Sequence, residues 1–143
     1  MSRIPRVQEY LKTGFTAEAA AAAKFRAYAE RARRDGLPNL ADRWLTLAAA
    51  KDELAIRQLE ATGKVRGGLT DLAAEIAEER YENDVLYPKL IAAVDDPAVN
   101  TLLAGVIEAQ QEHLRRLLGL RDELTSSKGD VAKVVTMPTS ATA

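Results

Sequence analysis

The stretch AAEIAEERYENDV, Ala73–Val85, places two carboxylates, Glu79 and Glu82, three residues apart inside an apolar helical pattern. The apolar members that mark the inward side of this helix are Leu72, Ile76, Leu86 and Leu90. Residues at i and i+3 share a helix face, so Glu79 falls on the inward side and Glu82 lies close beside it. A buried carboxylate is costly unless it is paired or bound to a metal. The stretch therefore predicts a cation nearby, either a metal ion or a basic side chain.

The composition excludes several classes of protein. The 143 residues suffice for one domain with its own core and are too few for two of ordinary size. A net charge of −1 argues against binding to nucleic acid or to an anionic membrane. The absence of cysteine excludes disulfides, rubredoxin-type iron centres and thiol catalysis. The sequence shows neither a signal-peptide run nor a membrane-spanning window, so we expect a cytoplasmic protein.

An all-α protein with four helices is predicted, because alanine dominates and strand-type runs are nearly absent. The first helix begins near Pro5 and ends before Gly36, a typical C-cap, and Pro38 suits the first turn of the second helix. Both helices show an inward stripe with alternating three- and four-residue spacing. The stripes are Leu11, Phe15, Glu18, Ala22, Phe25, Ala29 and Ala32 in the first helix, and Leu40, Trp44, Leu47, Lys51, Leu54 and Gln58 in the second.

A loose segment, LEATGKVRGG at positions 59–68, separates this helix pair from the next. We interpret it as a crossover that runs along the bundle. Thr70 is the predicted N-cap of the third helix, which reaches Val94 and is expected to kink at Pro88.

The fourth helix is predicted to start with Asp96 as N-cap and Pro97 in its first turn, and to end at about Leu124. Its inward stripe is Leu102, Leu103, Val106, Gln110, His113, Leu117 and Leu120. Residues 125–143 lose helical periodicity. We therefore expect one helical domain over residues 1–124, followed by a C-terminal tail over 125–143.

Polar side chains interrupt the inward stripes of all four helices. They are Glu18, Lys51, Glu79, Glu82, Gln110 and His113. In a four-helix bundle such residues can meet in one layer. Bundles that hold two irons use a Glu from each of two helices and a Glu-x-x-His motif from each of the other two.

Two segments resemble the rubrerythrin family of the ferritin-like superfamily. GFTAEAAAAAKFRAYAERARRDGLPNLADRW, residues 14–44, is similar to the family's first helix pair, and EERYENDVLYPKL, residues 78–90, to its third helix. The resemblance spans roughly residues 9–118. It implies a ferritin-like four-helix bundle, made of two antiparallel helix pairs joined by a crossover, and a homodimer. It also implies that four residues fall on metal-ligand positions: Glu18, Glu79, Glu82 and His113.

Three positions depart from the family pattern. The Glu-x-x-His of the second helix would occupy positions 51 and 54, where this chain has Lys51 and Leu54, and the glutamate before His113 is replaced by Gln110. Both bridging carboxylates are therefore missing. The ammonium of Lys51 supplies positive charge itself and repels a nearby cation by roughly 4 kcal/mol per unit charge, at about 4 Å and an effective dielectric near 20. We therefore expect that two irons do not bind.

The sequence thus predicts a degraded di-iron site with no metal or one divalent ion, iron or manganese. A single ion would use Glu79, Glu82 and His113, with or without Glu18. Without metal, Lys51 and the polar residues would form a closed network that fixes helix register.

The first functional hypothesis is a binding or scaffold protein with an unidentified partner, rather than a peroxidase. The alternative is a non-haem iron or manganese oxidoreductase that acts on peroxide or dioxygen. Each site residue also has an ordinary interpretation when taken alone: Lys51 with its amine in solvent, Glu18 and Glu82 as surface acids, and His113 as a core or surface histidine.

Overall fold

The computed structural model describes residues 4–127 and 129–134, and every regular element in those ranges is helical. The elements are α1 (Ile4–Arg34), α2 (Pro38–Ala61), α3 (Gly68–Tyr81), a π-helical segment (Glu82–Leu86), α4 (Tyr87–Ala93) and α5 (Pro97–Ser126). α3, the π-helical segment and α4 follow one another without a break, which leaves four helical stretches. The prediction of an all-α protein with four helices is confirmed.

The chain divides between Arg66 and Gly67 into two compact units, each a pair of helices. The first hairpin consists of α1 and α2. The second hairpin consists of α5 and the continuous stretch formed by α3, the π-helical segment and α4. Short turns join the helices within each hairpin, so the two members of each pair are antiparallel, as predicted.

The first hairpin closes on a seam of alanines. Ala22, Ala29, Ala41 and Ala48 are each at most 2% exposed. Small side chains allow two helix backbones to approach closely, and the three- and four-residue spacing keeps them on one line. The predicted stripe of α1 is confirmed, because all of its members are buried or half-buried: Leu11, Phe15, Glu18, Ala22, Phe25, Ala29 and Ala32.

The predicted stripe of α2 is correct for Trp44, Lys51 and Gln58, which are half-buried. It is wrong for three leucines, which lie exposed beside the seam: Leu40, Leu47 and Leu54. Alanines one residue further along take the seam positions: Ala41, Ala48 and Ala55. Both sets repeat every seven residues on adjacent sides of the helix, and only the smaller side chain fits between close backbones. The leucines therefore form an apolar flank of the first hairpin.

A Schellman turn joins α1 to α2 and confirms the predicted boundary. The Leu37 N–H donates to the Ala32 carbonyl at 2.8 Å, and the Gly36 N–H donates to the Arg33 carbonyl at 3.1 Å. Gly36 has a φ of 77°, which favours glycine because it has no Cβ. Pro38 then lies in the first turn of α2.

The second hairpin begins with a cap that the sequence analysis assigned wrongly. α3 starts at Gly68 with Gly67 as N-cap, and the Gly67 N–H donates to Asp71 Oδ2 at 2.9 Å. Thr70 therefore lies inside the first turn rather than at the N-cap, and the Asp71 carboxylate accepts from the N–H of the N-cap residue, as the acidic member of a capping box does. The loose segment predicted over residues 59–68 is shorter in the structure, because α2 continues to Ala61 and α3 starts at Gly68. That it crosses along the bundle stays a prediction.

A π-helical turn precedes Pro88, where the sequence predicted a kink. The Tyr87 N–H donates to the Glu82 carbonyl, five residues back rather than four. This turn contains one residue more than an α-helical turn, so each inward position after it falls one residue later in the sequence. Ile91 is accordingly half-buried and Leu90 is exposed. The placement of Leu90 on the inward side was therefore wrong, because the sequence pattern assumed regular α-helical spacing.

α5 starts as predicted. Asp96 Oδ1 accepts hydrogen bonds from the Ala98 and Val99 N–H groups at 3.0 and 3.2 Å, and Pro97 lies in the first turn. The half-buried side of the helix includes Leu103, Ile107, Gln110, Leu114, Leu117, Arg121 and Leu124. Three members of the predicted stripe are exposed instead: Leu102, His113 and Leu120. Apolar residues cover a wide arc of α5, so either of two adjacent rows of residues along the helix could have faced its partner helix.

α5 ends at Ser126, slightly beyond the predicted Leu124. The following residues stay near this end, since the Ala132 N–H donates to the Glu123 carboxylate. Residue 128 and residues 135–143 of the predicted tail lie outside the described residues. Within the part of the chain that is described, no helix is both long and apolar enough to cross a bilayer.

Candidate functional site

Glu18 and Lys51 form an ion pair in the seam of the first hairpin. Lys51 Nζ lies 2.9 Å from Glu18 Oε2, and the two side chains are 34% and 24% exposed respectively. Glu18 Oε2 is shielded from solvent and has no hydrogen-bond donor aligned on it among the described residues, so the contact is charge pairing. The Lys51 amine therefore neutralises an acid inside the hairpin instead of extending into solvent.

The neighbouring charges of the first hairpin are already paired with each other. Arg26 Nη1 donates to Asp52 Oδ2 at 2.8 Å beside the seam, across the same two helices. The Glu18 carboxylate and the Lys51 ammonium sum to zero formal charge. Among the described residues at this level of the seam, the carboxylates of Glu18 and Asp52 therefore each already have a basic partner.

We call polar layer a set of four buried or half-buried polar residues of the second hairpin: Glu79, Glu82, Asn83 and Gln110. Gln110 Nε2 donates to Glu82 Oε2 at 3.1 Å, which joins the π-helical segment to α5. Asn83 is only 6% exposed. Four buried atoms of this layer lack a hydrogen-bond partner among the described residues: Glu79 Oε2, Asn83 Oδ1, Asn83 Nδ2 and Gln110 Oε1.

The concentration of unpartnered atoms in the polar layer requires an explanation. More than nine in ten buried polar groups in native proteins have a hydrogen-bond partner. A buried donor or acceptor without one costs about 1–3 kcal/mol. Water, an ion or a ligand is the usual partner where the protein supplies none.

α3 presents a row of acids that continues into the polar layer: Glu75, Glu78, Glu79 and Glu82. Burial raises the pKa of Glu75 above its usual value, and the charges of Glu78, Glu79 and Glu82 raise that pKa further. The rise shows that the potential along this side of α3 is negative. Neither Glu79 nor Glu82 forms an ion pair with a described basic side chain.

Two contacts join predicted site residues, one within each hairpin. Glu18 pairs with Lys51 in the first hairpin, and Gln110 donates to Glu82 in the second. His113 is exposed on α5, with Leu114 half-buried in its place, and Leu54 is exposed on α2. Across residues 4–127 and 129–134, no group of three or more His, Asp or Glu side chains has the arrangement of a metal site.

Asn83 is the member of the polar layer that the sequence analysis missed. It lies inside the charged run EERYEND, where a solvated side chain is the ordinary expectation. It lies seven residues after Ile76 and four after Glu79, a spacing that returns to the same helix face, and this spacing was the signal that could have placed it inward. Pro88 could in addition have indicated an irregular turn nearby, because a proline inside a helix requires a local adjustment.

The two irons that the resemblance implies do not fit these residues. An ammonium lies on Glu18, and Gln110 offers a neutral amide where a bridging carboxylate would be needed. A single cation fits better, because Glu79 Oε2 is a buried carboxylate oxygen without a partner in the described chain. The other unpartnered buried oxygens of the polar layer belong to the amides of Asn83 and Gln110.

Comparison of the chain with known proteins found no relative. No family model matches the chain, and no match was found among curated proteins or solved structures. The similarity to rubrerythrins therefore remains a resemblance of two sequence segments. The contacts of the seam and of the polar layer are observed independently of it.

Proposed function

We propose that the chain is a rubrerythrin-like protein of the ferritin-like superfamily with a degraded di-iron site. It acts as a cytoplasmic binding or scaffold protein rather than as a peroxidase, and it holds no metal or one divalent ion. The observation that carries this proposal is the 2.9 Å ion pair between Lys51 and Glu18. An ammonium lies on the carboxylate that the resemblance assigns as the ligand of the first helix.

The charges support this reading. A divalent ion at Glu18 would meet the Lys51 ammonium, and each unit charge costs roughly 4 kcal/mol at about 4 Å and an effective dielectric near 20. In the second hairpin, Gln110 donates a hydrogen bond to Glu82 and brings no negative charge. A pair of metals would therefore face one ammonium too many and two bridging carboxylates too few.

We further propose that the protein is a homodimer without a nucleic-acid partner. The apolar flank of the first hairpin, Leu40, Leu47 and Leu54, is exposed. Regularly spaced leucines on a helix are normally buried against another helix. A second copy of the chain is the occupant that the resemblance implies. Sedimentation analysis of the wild type and of Leu47→Glu tests this, since the variant should dissociate to monomers.

The alternative function is a non-haem iron or manganese oxidoreductase that acts on peroxide or dioxygen. The unpartnered Oε2 of Glu79 is the observation that favours it. The activity would need Glu18, Glu79, Glu82 and His113 to share a metal. The pairing of Glu18 with Lys51 and the exposure of His113 make it the second choice.

Elemental analysis distinguishes the two functions. Protein purified from medium supplemented with iron and manganese should contain at most one of these ions per chain and show no peroxidase turnover. Two irons per chain would overturn the proposed function. One iron per chain, together with turnover of peroxide, would establish the alternative.

Restoration of the missing ligands tests the resemblance itself. The triple variant Lys51→Glu, Leu54→His, Gln110→Glu should take up iron, because it supplies the carboxylates and imidazole that the family pattern requires. Absorption spectra and iron content report the uptake. A triple variant that folds, as judged by circular dichroism, and stays free of iron would show that the carried-over ligand positions are wrong.

A further inference from the structure

We propose that the polar layer of the second hairpin binds one hard divalent cation, of the magnesium or calcium class, through oxygen atoms of Glu79, Glu82, Asn83 and Gln110. This deepens the proposed function, since it names the class of the single ion. It also replaces His113 and Glu18 as ligands with two amide side chains. All four of these side chains belong to the second hairpin.

Asn83 is the observation that points to a ligand. Its side chain is 94% buried, as its 6% exposure shows, yet neither amide atom has a partner among the described residues. It directly follows Glu82 and lies one helical turn after Glu79, so its amide is buried on the same side of the helix. A buried amide without a partner costs about 1–3 kcal/mol, and a bound ligand would offset that cost.

The atoms of the layer suit a cation better than they suit one another. Glu79 Oε2, Asn83 Oδ1 and Gln110 Oε1 are three buried acceptors without a donor in the described chain. Gln110 Nε2 already donates to Glu82 Oε2 at 3.1 Å, which leaves its Oε1 free to bind an ion. A bound cation would satisfy these three acceptors at once and keep the existing hydrogen bond.

The donor type and the charge select the ion. Carboxylate and amide oxygens are the ligands of Mg²⁺ and Ca²⁺, with water completing the shell. The formal charge of Glu79 and Glu82, −2, matches one divalent cation, and the other acids of α3 add to the attraction. No imidazole contributes, because His113 is exposed. Zinc and copper, which prefer nitrogen and sulfur ligands, are therefore disfavoured.

The rival explanation is that water alone fills the layer. Water can bridge unpartnered amides, since it both donates and accepts. It would leave the two carboxylates without any compensating charge, in contrast to the ion pair of the first hairpin. The cation explanation accounts for the charge as well as for the orphaned acceptors.

Cation titration of the full-length chain tests the proposal. Protein stripped with EDTA is titrated with MgCl₂, CaCl₂, MnCl₂ or ZnCl₂ and followed by calorimetry and by the thermal unfolding midpoint. We expect one saturable site per chain for a magnesium-class ion and a rise in the midpoint. A flat titration with Mg²⁺, Ca²⁺ and Mn²⁺ would overturn the proposal and leave water as the occupant.

Matched variants locate the site. Glu79→Gln should weaken binding by about tenfold or more, equivalent to about 1.4 kcal/mol, because it removes a charged ligand. Glu78→Gln changes the neighbouring acid by the same group and should retain the affinity within about threefold. Equal losses in both variants would indicate diffuse attraction to the acidic helix and would contradict a defined site.

Two further variants keep the test independent of folding and of the proposed function. Asn83→Leu should unfold at a higher temperature without metal, yet lose the response to the cation. His113→Ala should bind as the wild type does, and a loss of binding there would contradict the oxygen-only site. Iron content is measured separately: two irons per chain would refute the proposed function, whereas failed magnesium-class binding in iron-free protein refutes only this inference.

Discussion

The two hairpins treat buried carboxylates in opposite ways. In the first hairpin, Glu18 meets the Lys51 ammonium at 2.9 Å, and the seam around it consists of alanine. In the second, Glu82 accepts a hydrogen bond from the Gln110 amide, whereas Glu79 Oε2 and both amide atoms of Asn83 lack partners among the described residues. The acid and the base of the first hairpin sum to zero formal charge, whereas the acids of the second hairpin have no basic partner among the described residues.

This contrast shows what a buried acid requires. A basic residue on the facing helix satisfies it within the chain, at the cost of any metal binding there. Amides satisfy its hydrogen bonds in part and leave its charge, so the acid remains available to a cation. Whether the partner of a buried acid is a basic residue or an amide therefore distinguishes a structural ion pair from a candidate cation site.

Overpacking of the alanine seam should give the largest effect. Ala48→Leu places three extra carbons between close backbones and should lower the free energy of unfolding by about 2–3 kcal/mol. Ala49→Leu, its exposed neighbour, should change that free energy by less than about 0.5 kcal/mol. Urea denaturation measures both. A similar loss in the two variants would show that the seam is not closely packed.

Removal of the lysine tests the closed side of the contrast. Lys51→Met leaves Glu18 half-buried and unpaired, and should cost about 1–2 kcal/mol, between the values for exposed and for fully buried pairs. Urea denaturation of Lys24→Met, in which an exposed lysine of α1 is replaced, provides the reference. Unchanged stability in Lys51→Met would mean that Glu18 is satisfied by solvent.

Removal of the buried amide tests the open side. Asn83→Leu in metal-free protein should raise the free energy of unfolding by about 1 kcal/mol, because an unpaired polar group is replaced by an apolar one. Asn39→Leu, at an exposed position of α2, is the matched change and should be nearly neutral. Denaturation in EDTA compares them. A destabilised Asn83→Leu variant would show that the amide makes essential hydrogen bonds.

The smallest expected effect concerns pH. Because the pKa of Glu75 is raised in the folded state, Glu75 favours folding below its ordinary value of 4.5. That contribution is lost as the pH rises through the raised pKa. Glu75→Gln should therefore raise the unfolding temperature more at pH 7 than at pH 4.

The control for this pH series is Glu30→Gln, which changes an exposed acid of the first hairpin. Its unfolding temperature, measured by calorimetry beside that of Glu75→Gln, should show a smaller difference between pH 7 and pH 4. Equal pH dependence in the two variants would contradict the mutual repulsion of the acids along α3.

Much of the fold could be predicted, because local chemistry fixes it. Gly36 ends α1 and Asp96 caps α5 through side-chain and backbone geometry that leaves a sequence signature. The inward side of α1 followed from its spacing. The inward sides of α2 and α5 were less certain, since two neighbouring lines are apolar in each, and packing size decides between them.

The candidate site was predictable only in part. Lys51 and Gln110 were found because their polarity interrupts apolar stripes, and each contacts the acid of its own hairpin. Asn83 and the exposure of His113 were not foreseen. Asn83 lies seven residues after Ile76 on the same helix face, but the charged residues around it favoured a solvated side chain. His113 was misplaced because the choice between two apolar faces of α5 depends on tertiary contacts.

The extra residue of the π-helical segment has a consequence for how this chain tolerates change. Each residue turns an α-helix by about 100°, so deletion of one residue from Glu82–Leu86 would rotate Tyr87–Ala93 by that angle. Ile91 would leave the hairpin interface and Leu90 would enter it. Deletion of one residue here would therefore change every contact of α4, whereas most single substitutions in α4 would change the contacts of only one residue.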